Sequence, residues 1–260
     1  MFENIIYTPA GEDSCAVIMI NRPKAYNALN MQVNHELLEA IEMVRKDPAC
    51  RALILSGNDK AFAAGADIKE MSDADSTQAR ERTNDGRAVN RALEALEIPT
   101  IAAVSGFALG GGCELAASCD FRVVEPRTTY GLPETTLGII PGAGGTQRLI
   151  PLIGLARTRR MVILNEKVKG EEAVKIGLAD FLAEDGDVMS LARKIAAKLT
   201  AHPVNSLRQA KKAINEGVKN TLEEGLKQEE NGFISLFETY DQKEGMKAML
   251  EKRRPEFQNR

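Results

Sequence analysis

Four short apolar runs set the architecture of this chain: CAVIMI (15–20), ALIL (52–55), TIAAV (100–104) and FRVV (121–124). A strand with one face in water alternates apolar and polar residues, whereas a strand covered on both faces stays apolar almost throughout. Each of these runs ends at a polar or glycine-bearing turn, so they predict short, fully buried strands. Helical periodicity fills the gaps between them. One helix follows the N-cap candidate Asn30 and runs to about Lys46, where Asp47-Pro48 stops it. A long polar-faced helix covers 75–96 ahead of Pro99, and CELAAS (113–118) is a short one. Strands alternating with helices predict parallel crossover units and an α/β core. After about residue 144 strand signals fade. The segments 154–165, 170–177, 187–200, 203–218 and 221–252 read as helices, broken at Gly186 and His202-Pro203.

Composition removes whole classes of function. The chain has 260 residues, 43% hydrophobic and 27% charged, enough for a sizeable core. Its 34 basic and 37 acidic side chains leave a net charge of −3, which argues against a generic affinity for nucleic acid or an anionic membrane. The basic cluster Arg157, Arg159, Arg160 reads as a solvated helix face. The longest apolar stretch, 100–112, falls short of the roughly 18 residues a membrane span needs. The opening MFENIIYTPAGEDS has neither a basic start nor an apolar signal region, so a cytoplasmic location is expected. Cys15, Cys50, Cys113 and Cys119 form no CxxC pair. Only His35, in an amphipathic helix pattern, and His202, just before Pro203, are available for imidazole chemistry, which excludes His-rich zinc sites. Acid–base work must therefore fall mostly to carboxylates.

Three stretches do not look like ordinary core: AFAAGADIKEM (61–71), SGFALGGGCE (105–114) and GLPETTLGIIPGAGGTQR (131–148). Each follows a predicted parallel strand, on the side where open α/β sheets place ligands. Gly110-Gly111-Gly112 leads straight into a helix and leaves free backbone N–H groups at its start, a setting for negative charge. The spacing matches neither the P-loop nor the dinucleotide fingerprint. Two readings stay open: tight turns alone, or an oxyanion site with Ala66 as the second donor. Glu114 lies in a helix that is apolar nearly all round and so is expected to be buried. It either pairs with an arginine such as Arg122 or Arg148 or carries a raised pKa. Glu134, behind Pro133, sits in a similarly apolar, glycine-rich context. Two such carboxylates can divide general acid and base roles near neutral pH.

FAAGADIKEM, GFALGGGCELAASCD and LPETTLGIIPGAGGTQRL closely resemble, in order and spacing, the signature segments of the enoyl-CoA hydratase (crotonase) family. The resemblance runs from the NRPKAYNALN turn to the EGMKAMLEKRRPEF tail. It implies a spiral of repeated ββα units over 1–200, followed by a C-terminal helical region over 201–260 that builds a homotrimer or a dimer of trimers. It implies that the Ala66 and Gly111 N–H groups form an oxyanion hole for a thioester enolate. Glu114 and Glu134 match the two glutamates that hold and activate water. Ala64, Asp67 and Ile68 match the loop around coenzyme A, Lys24, Ala25 and Tyr26 the turn across from it, and Lys252 a residue near the coenzyme A phosphates of a neighbouring subunit. Coenzyme A belongs to the substrate, and no separate cofactor is implied. The implied setting is fatty-acid metabolism.

The implied reaction is reversible syn addition of water across the 2,3 double bond of a 2-enoyl-CoA. Isomerases of the family generally keep only the counterpart of Glu134, so the presence of both glutamates favours hydration. Leu132 replaces a glutamine common in short-chain hydratases, and the 131–145 segment also resembles branched-chain methylglutaconyl-CoA hydratases, some of which bind AU-rich RNA. The acidic balance and the lack of an aromatic–basic platform count against RNA.

Overall fold

A computed structural model of the chain describes residues 2–260. Its strands are β1 (Ile5–Thr8), β2 (Cys15–Ile20), β3 (Ala52–Ser56), β4 (Ala61–Ala63), β5 (Thr100–Val104), β6 (Phe107–Leu109), β7 (Phe121–Val124), β8 (Thr129–Gly131), β9 (Val168–Lys169) and β10 (Phe181–Leu182). Its α-helices are α1 (Met31–Lys46), α2 (Ile68–Met71), α3 (Ser76–Glu94), α4 (Gly111–Ala117), α5 (Gly145–Ile163), α6 (Gly170–Ile176), α7 (Val188–Thr200), α8 (Val204–Gly217), α9 (Leu222–Leu236) and α10 (Tyr240–Leu250).

The larger sheet has the order β1-β2-β3-β5-β7-β10, and the smaller has the order β4-β6-β8-β9. From β2 to β10 the larger sheet is parallel, and only β1 pairs antiparallel, at its edge. Each of β3, β5 and β7 hands the chain directly to a strand of the second sheet (β4, β6, β8) before a helix returns, which is a spiral of ββα units. The crossing from β5 to β6 shows why the sequence permits it. Gly106 has φ +62, and a Cβ there would lie 2.1 Å from the Lys60 carbonyl oxygen.

Burial explains the uninterrupted apolar runs. Leu53 and Leu55 of β3 and Ala102 and Val104 of β5 enter the main core with Phe62, Ala108 and Tyr130 of the second sheet. Their neighbours Ala52, Ile54, Ile101 and Ala103 face the opposite way, onto Ala192, Ile195 and Ala196 of α7. Both faces are dry, so neither face of the strand can be polar.

The four expected buried strands and the first two long helices form where the sequence places them. Asn30 caps α1 by accepting from the Val33 N–H at 2.9 Å, and Asp75 with Gln78 makes a capping box on α3. The differences lie in short elements. The three-residue strands AFA, FAL and TYG are too short to show periodicity, and two-residue strands appear past residue 144 as well. CELAAS belongs to a helix that already begins at Gly111. The expected helix 154–165 starts at Gly145 and is kinked at Gly154 (φ 78), and 221–252 divides into α9 and α10. Along α8 to α10, Ile214, Val218, Leu222, Leu226, Phe233, Ile234, Met249 and Leu250 are exposed.

Candidate active site

The smaller sheet exists, in effect, to aim three loops at one cavity. After β4 the chain turns through Gly65 (φ +103) and pairs with Leu29. Leu29 donates its N–H to the Gly65 carbonyl at 2.8 Å, and its own carbonyl accepts from the Asp67 N–H at 3.0 Å. Those two bonds bracket Ala66, whose own N–H therefore faces the other side of the loop. Arg22 fixes the same loop by pairing with Asp67 at 3.2 Å and donating to the Ala28 carbonyl at 2.6 Å.

After β6 the chain enters α4 through Gly110 (φ 51). A Cβ at Gly112 would lie 2.1 Å from the Ala63 carbonyl oxygen, so α4 packs backbone to backbone against β4. That contact sets the Gly111 amide beside Ala66: a Cβ on Gly111 would stand 3.8 Å from the Ala66 nitrogen. Gly111 is the first residue of α4, where N–H groups have no intrahelical acceptor. Neither the Ala66 nor the Gly111 N–H donates to an acceptor among the described residues. Two amide donors thus converge on one side of the cavity, a geometry suited to a developing oxyanion.

Two carboxylates flank these donors. Glu114 on α4 is 2% exposed. The alternative of an arginine partner does not hold: Arg122 pairs with Asp180 at 2.8 Å and Arg148 with Glu94 at 2.5 Å. Instead, one oxygen of Glu114, Oε1, accepts from the backbone N–H groups of Ala143 at 2.9 Å and Gly145 at 2.7 Å. Gly145 opens α5, so the carboxylate also sits at a helix N-terminus. Burial raises the Glu114 pKa, and these donors, with the nearby Arg148 charge, hold the rise in check. Glu134, in the turn after β8, is 9% exposed, and its Oε2 has no hydrogen-bond partner. Burial first, and then the charge of Glu114, push its pKa up to about 7. A Cβ on Gly110 would lie 3.0 Å from Glu134 Oε1, and one on Gly111 would lie 3.9 Å from Glu114 Oε2, so both carboxylates come close to the Gly110–Gly111 backbone.

The cavity has a volume of about 1060 Å³, and its walls include Ala64, Ala66, Asp67, Ile68, Gly111, Glu114 and Glu134. Lys24, Ala25 and Tyr26 do not line it; they neighbour its 64–67 loop, whose Ala64 N–H donates to the Tyr26 carbonyl at 3.1 Å. Lys252 does not line the cavity and is exposed just past α10. Thr83, Arg87 and Asn90 of α3 line the cavity, and nothing about polar residues on a helix marks them in advance. Among the described residues, no three His, Cys, Asp or Glu side chains come together as a metal-holding group.

The model of the family described as enoyl-CoA hydratase/isomerase matches residues 10–260. The chain belongs to that family. It is 43% identical to a crotonyl-CoA hydratase of Syntrophomonas wolfei, over 98% of each chain. It is 42% identical to a short-chain-enoyl-CoA hydratase of Clostridium acetobutylicum, over 96% of each. Among solved structures, an enoyl-CoA hydratase from Bacillus anthracis superposes with a TM-score of 0.95 at 36% identity, covering 99% of this chain and 100% of the other. The spiral of ββα units is thus the crotonase fold. No helix among the described residues of this family member is long and apolar enough to cross a membrane.

Proposed function

We propose that this chain is an enoyl-CoA hydratase that adds water across the 2,3 double bond of a 2-enoyl-CoA to give the 3-hydroxyacyl-CoA. The observation that carries this reading is the pair of buried carboxylates beside two free amide donors, one carboxylate held by backbone N–H groups and the other unpaired. The full-length identity to relatives named as hydratases supports it.

In this reading the thioester oxygen lies between the N–H groups of Ala66 and Gly111, which stabilise the charge that builds on it as the enolate forms. One such donor is worth about 2.7–4 kcal/mol. Water sits between the glutamates. Glu114, with Oε1 occupied by two donors, presents Oε2 and takes a proton from the water whose oxygen bonds to C3. Glu134, with a pKa of about 7, is protonated in a large fraction of molecules at neutral pH and gives its proton to C2. Both groups act from the same side, which makes the addition syn. The thioester consumes one water, Glu114 ends protonated and Glu134 ionised, and a proton passing between them restores the start.

Ala64, Asp67 and Ile68 on one side and Lys24, Ala25 and Tyr26 on the other are the proposed walls of the coenzyme A channel. Lys252 would serve the pocket of a neighbouring subunit. The core over 1–200 and the helical region over 201–260 divide the work, with the exposed apolar residues of α9 and α10 forming the contact of a trimer or dimer of trimers. The substrate alone supplies the coenzyme A, and the site lies in the cytoplasm.

The test is loss of the conjugated thioester absorbance when purified protein meets crotonyl-CoA, with Glu114→Gln and Glu134→Gln alongside. Rapid loss in the wild type and collapse in both variants is expected. Saturable thioester binding without any loss of absorbance would overturn hydration and leave double-bond isomerisation as the activity to assay.

A further inference from the structure

The loop that supplies both hydrogen-bond donors of Glu114 has the sequence Pro141-Gly142-Ala143-Gly144-Gly145. Three glycines in five residues give it a backbone whose peptide planes can turn over at little steric cost. A turned 142–143 peptide would aim a carbonyl at Glu114 in place of an N–H. The loop nevertheless delivers both N–H groups to one carboxylate oxygen.

What holds it comes from the helices on its far side. Arg87 Nε on α3 donates to the Gly142 carbonyl at 2.9 Å. A trans peptide points its C=O and N–H in opposite directions, so fixing the Gly142 carbonyl on α3 aims the Ala143 N–H away from α3, toward Glu114. The next carbonyl, that of Ala143, receives Asn90 Nδ2 at 3.0 Å and Arg148 Nη1 at 2.7 Å, which use both of its lone pairs. Arg148 is in turn fixed by Glu94 of α3 at 2.5 Å. Close packing completes the clamp: a Cβ on Gly86 would lie 3.5 Å from the Ala143 Cβ.

We infer that Arg87, Asn90 and Arg148 are positioning residues for Glu114, clamping the 142–144 backbone so that its N–H groups hold Oε1 and leave Oε2 as the single oxygen that faces substrate. The inference rests on the proposed role of Glu114 as the base toward water. Asn90 and Arg148 are fully or largely buried, whereas Arg87 is exposed and reaches the loop from the surface of α3, so its removal leaves the core untouched.

The experiment compares Arg87→Ala, Arg87→Lys and Asn90→Asp with the wild type and Glu114→Gln, measuring kcat, KM for crotonyl-CoA and the pH dependence of kcat/KM. A displaced base costs turnover with little loss of binding. Arg87→Ala is expected to lower kcat about 10-fold or more while KM moves less than about 3-fold. Its acid limb should shift to higher pH, since Glu114 loses donors that favour its charged form. The Arg148 and Glu134 charges also act on Glu114 and are unchanged in this variant, while the Arg87 charge itself is removed, so the limb is read together with the fall in kcat. Arg87→Lys, which keeps a donor, should recover most of the loss. Asn90→Asp, which sets a carboxylate against the Ala143 carbonyl, should be worse than Arg87→Ala. Unchanged kcat and acid limb in Arg87→Ala, alongside collapse of activity in Glu114→Gln, would overturn the clamp and leave the role of Glu114 standing. Full hydration by Glu114→Gln would overturn both.

Discussion

Replacing Glu134 with glutamine should make the protein more stable and less active, and the stability gain should depend on pH. Glu134 is 9% exposed, has an unpaired Oε2 and lies within reach of the Glu114 charge. Its pKa rises from 4.5 to about 7 on folding. The folded state therefore holds a proton that the unfolded chain releases more readily. Below pH about 4.5 the residue is neutral in both states and costs nothing. Between about 4.5 and 7 the cost of keeping it folded grows, and above about 7 it is complete. A shift of that size corresponds to at most about 3–4 kcal/mol, and water reaching the carboxylate from the cavity screens this to about 1–2 kcal/mol. The neutral, near-isosteric Glu134→Gln variant escapes the cost. Urea unfolding of both proteins at one fixed concentration, at pH 5 and pH 8.5, reads it directly. We expect the variant to gain about 1–2 kcal/mol at pH 8.5 and much less at pH 5, while hydration falls about 10²–10⁴-fold. A variant that is less stable at pH 8.5, or whose gain is the same at both pH values, would refute the electrostatic reasoning. Retained turnover would refute the catalytic one.

In the wild type, kcat/KM for hydration should fall tenfold per pH unit above about 7, as Glu134 loses the proton it donates, and the reverse dehydration should fall in parallel, because the overall reaction takes up no net proton and both directions need the singly protonated pair; a hydration profile flat to pH 9 contradicts the assignment. Gly112→Ala places a Cβ 2.1 Å from the Ala63 carbonyl oxygen, so α4 must shift off β4. Thermal unfolding should show a loss of about 1–3 kcal/mol or more, and an unchanged Tm would show that the close approach is slack. Phe233→Asp puts a charge on the exposed apolar face of α9, where Phe233 is 62% exposed. Sedimentation should then show dissociation to monomers with the helical content kept, and an assembly state identical to wild type would remove this face from the proposed contact.

The apolar runs at 15–20, 52–55, 100–104 and 121–124 decide by themselves that this chain makes buried parallel strands, because only a sheet covered on both faces accepts them. The motif segments around Gly65, Gly110 and Glu134 likewise mark the family and the region of the site. Glycines beside a helix start and carboxylates in apolar surroundings are local signals that a sequence carries in full. The second sheet is different. AFA, FAL and TYG are too short to have a period, and they become strands only because β3, β5 and β7 place them side by side. Glu114 shows the same limit. Its burial was legible from the residues around it, but its partners were not: they are backbone N–H groups 29 and 31 residues further along, which no side-chain chemistry announces. Nor does any pattern in α3 show that Arg87 and Asn90 grip carbonyls more than 50 residues away. Local composition fixes which segments bury and which carry chemistry, because burial and helix starts depend on near neighbours. Which backbone amide meets which carboxylate depends on how the turns of the spiral stack, and only the tertiary structure decides that.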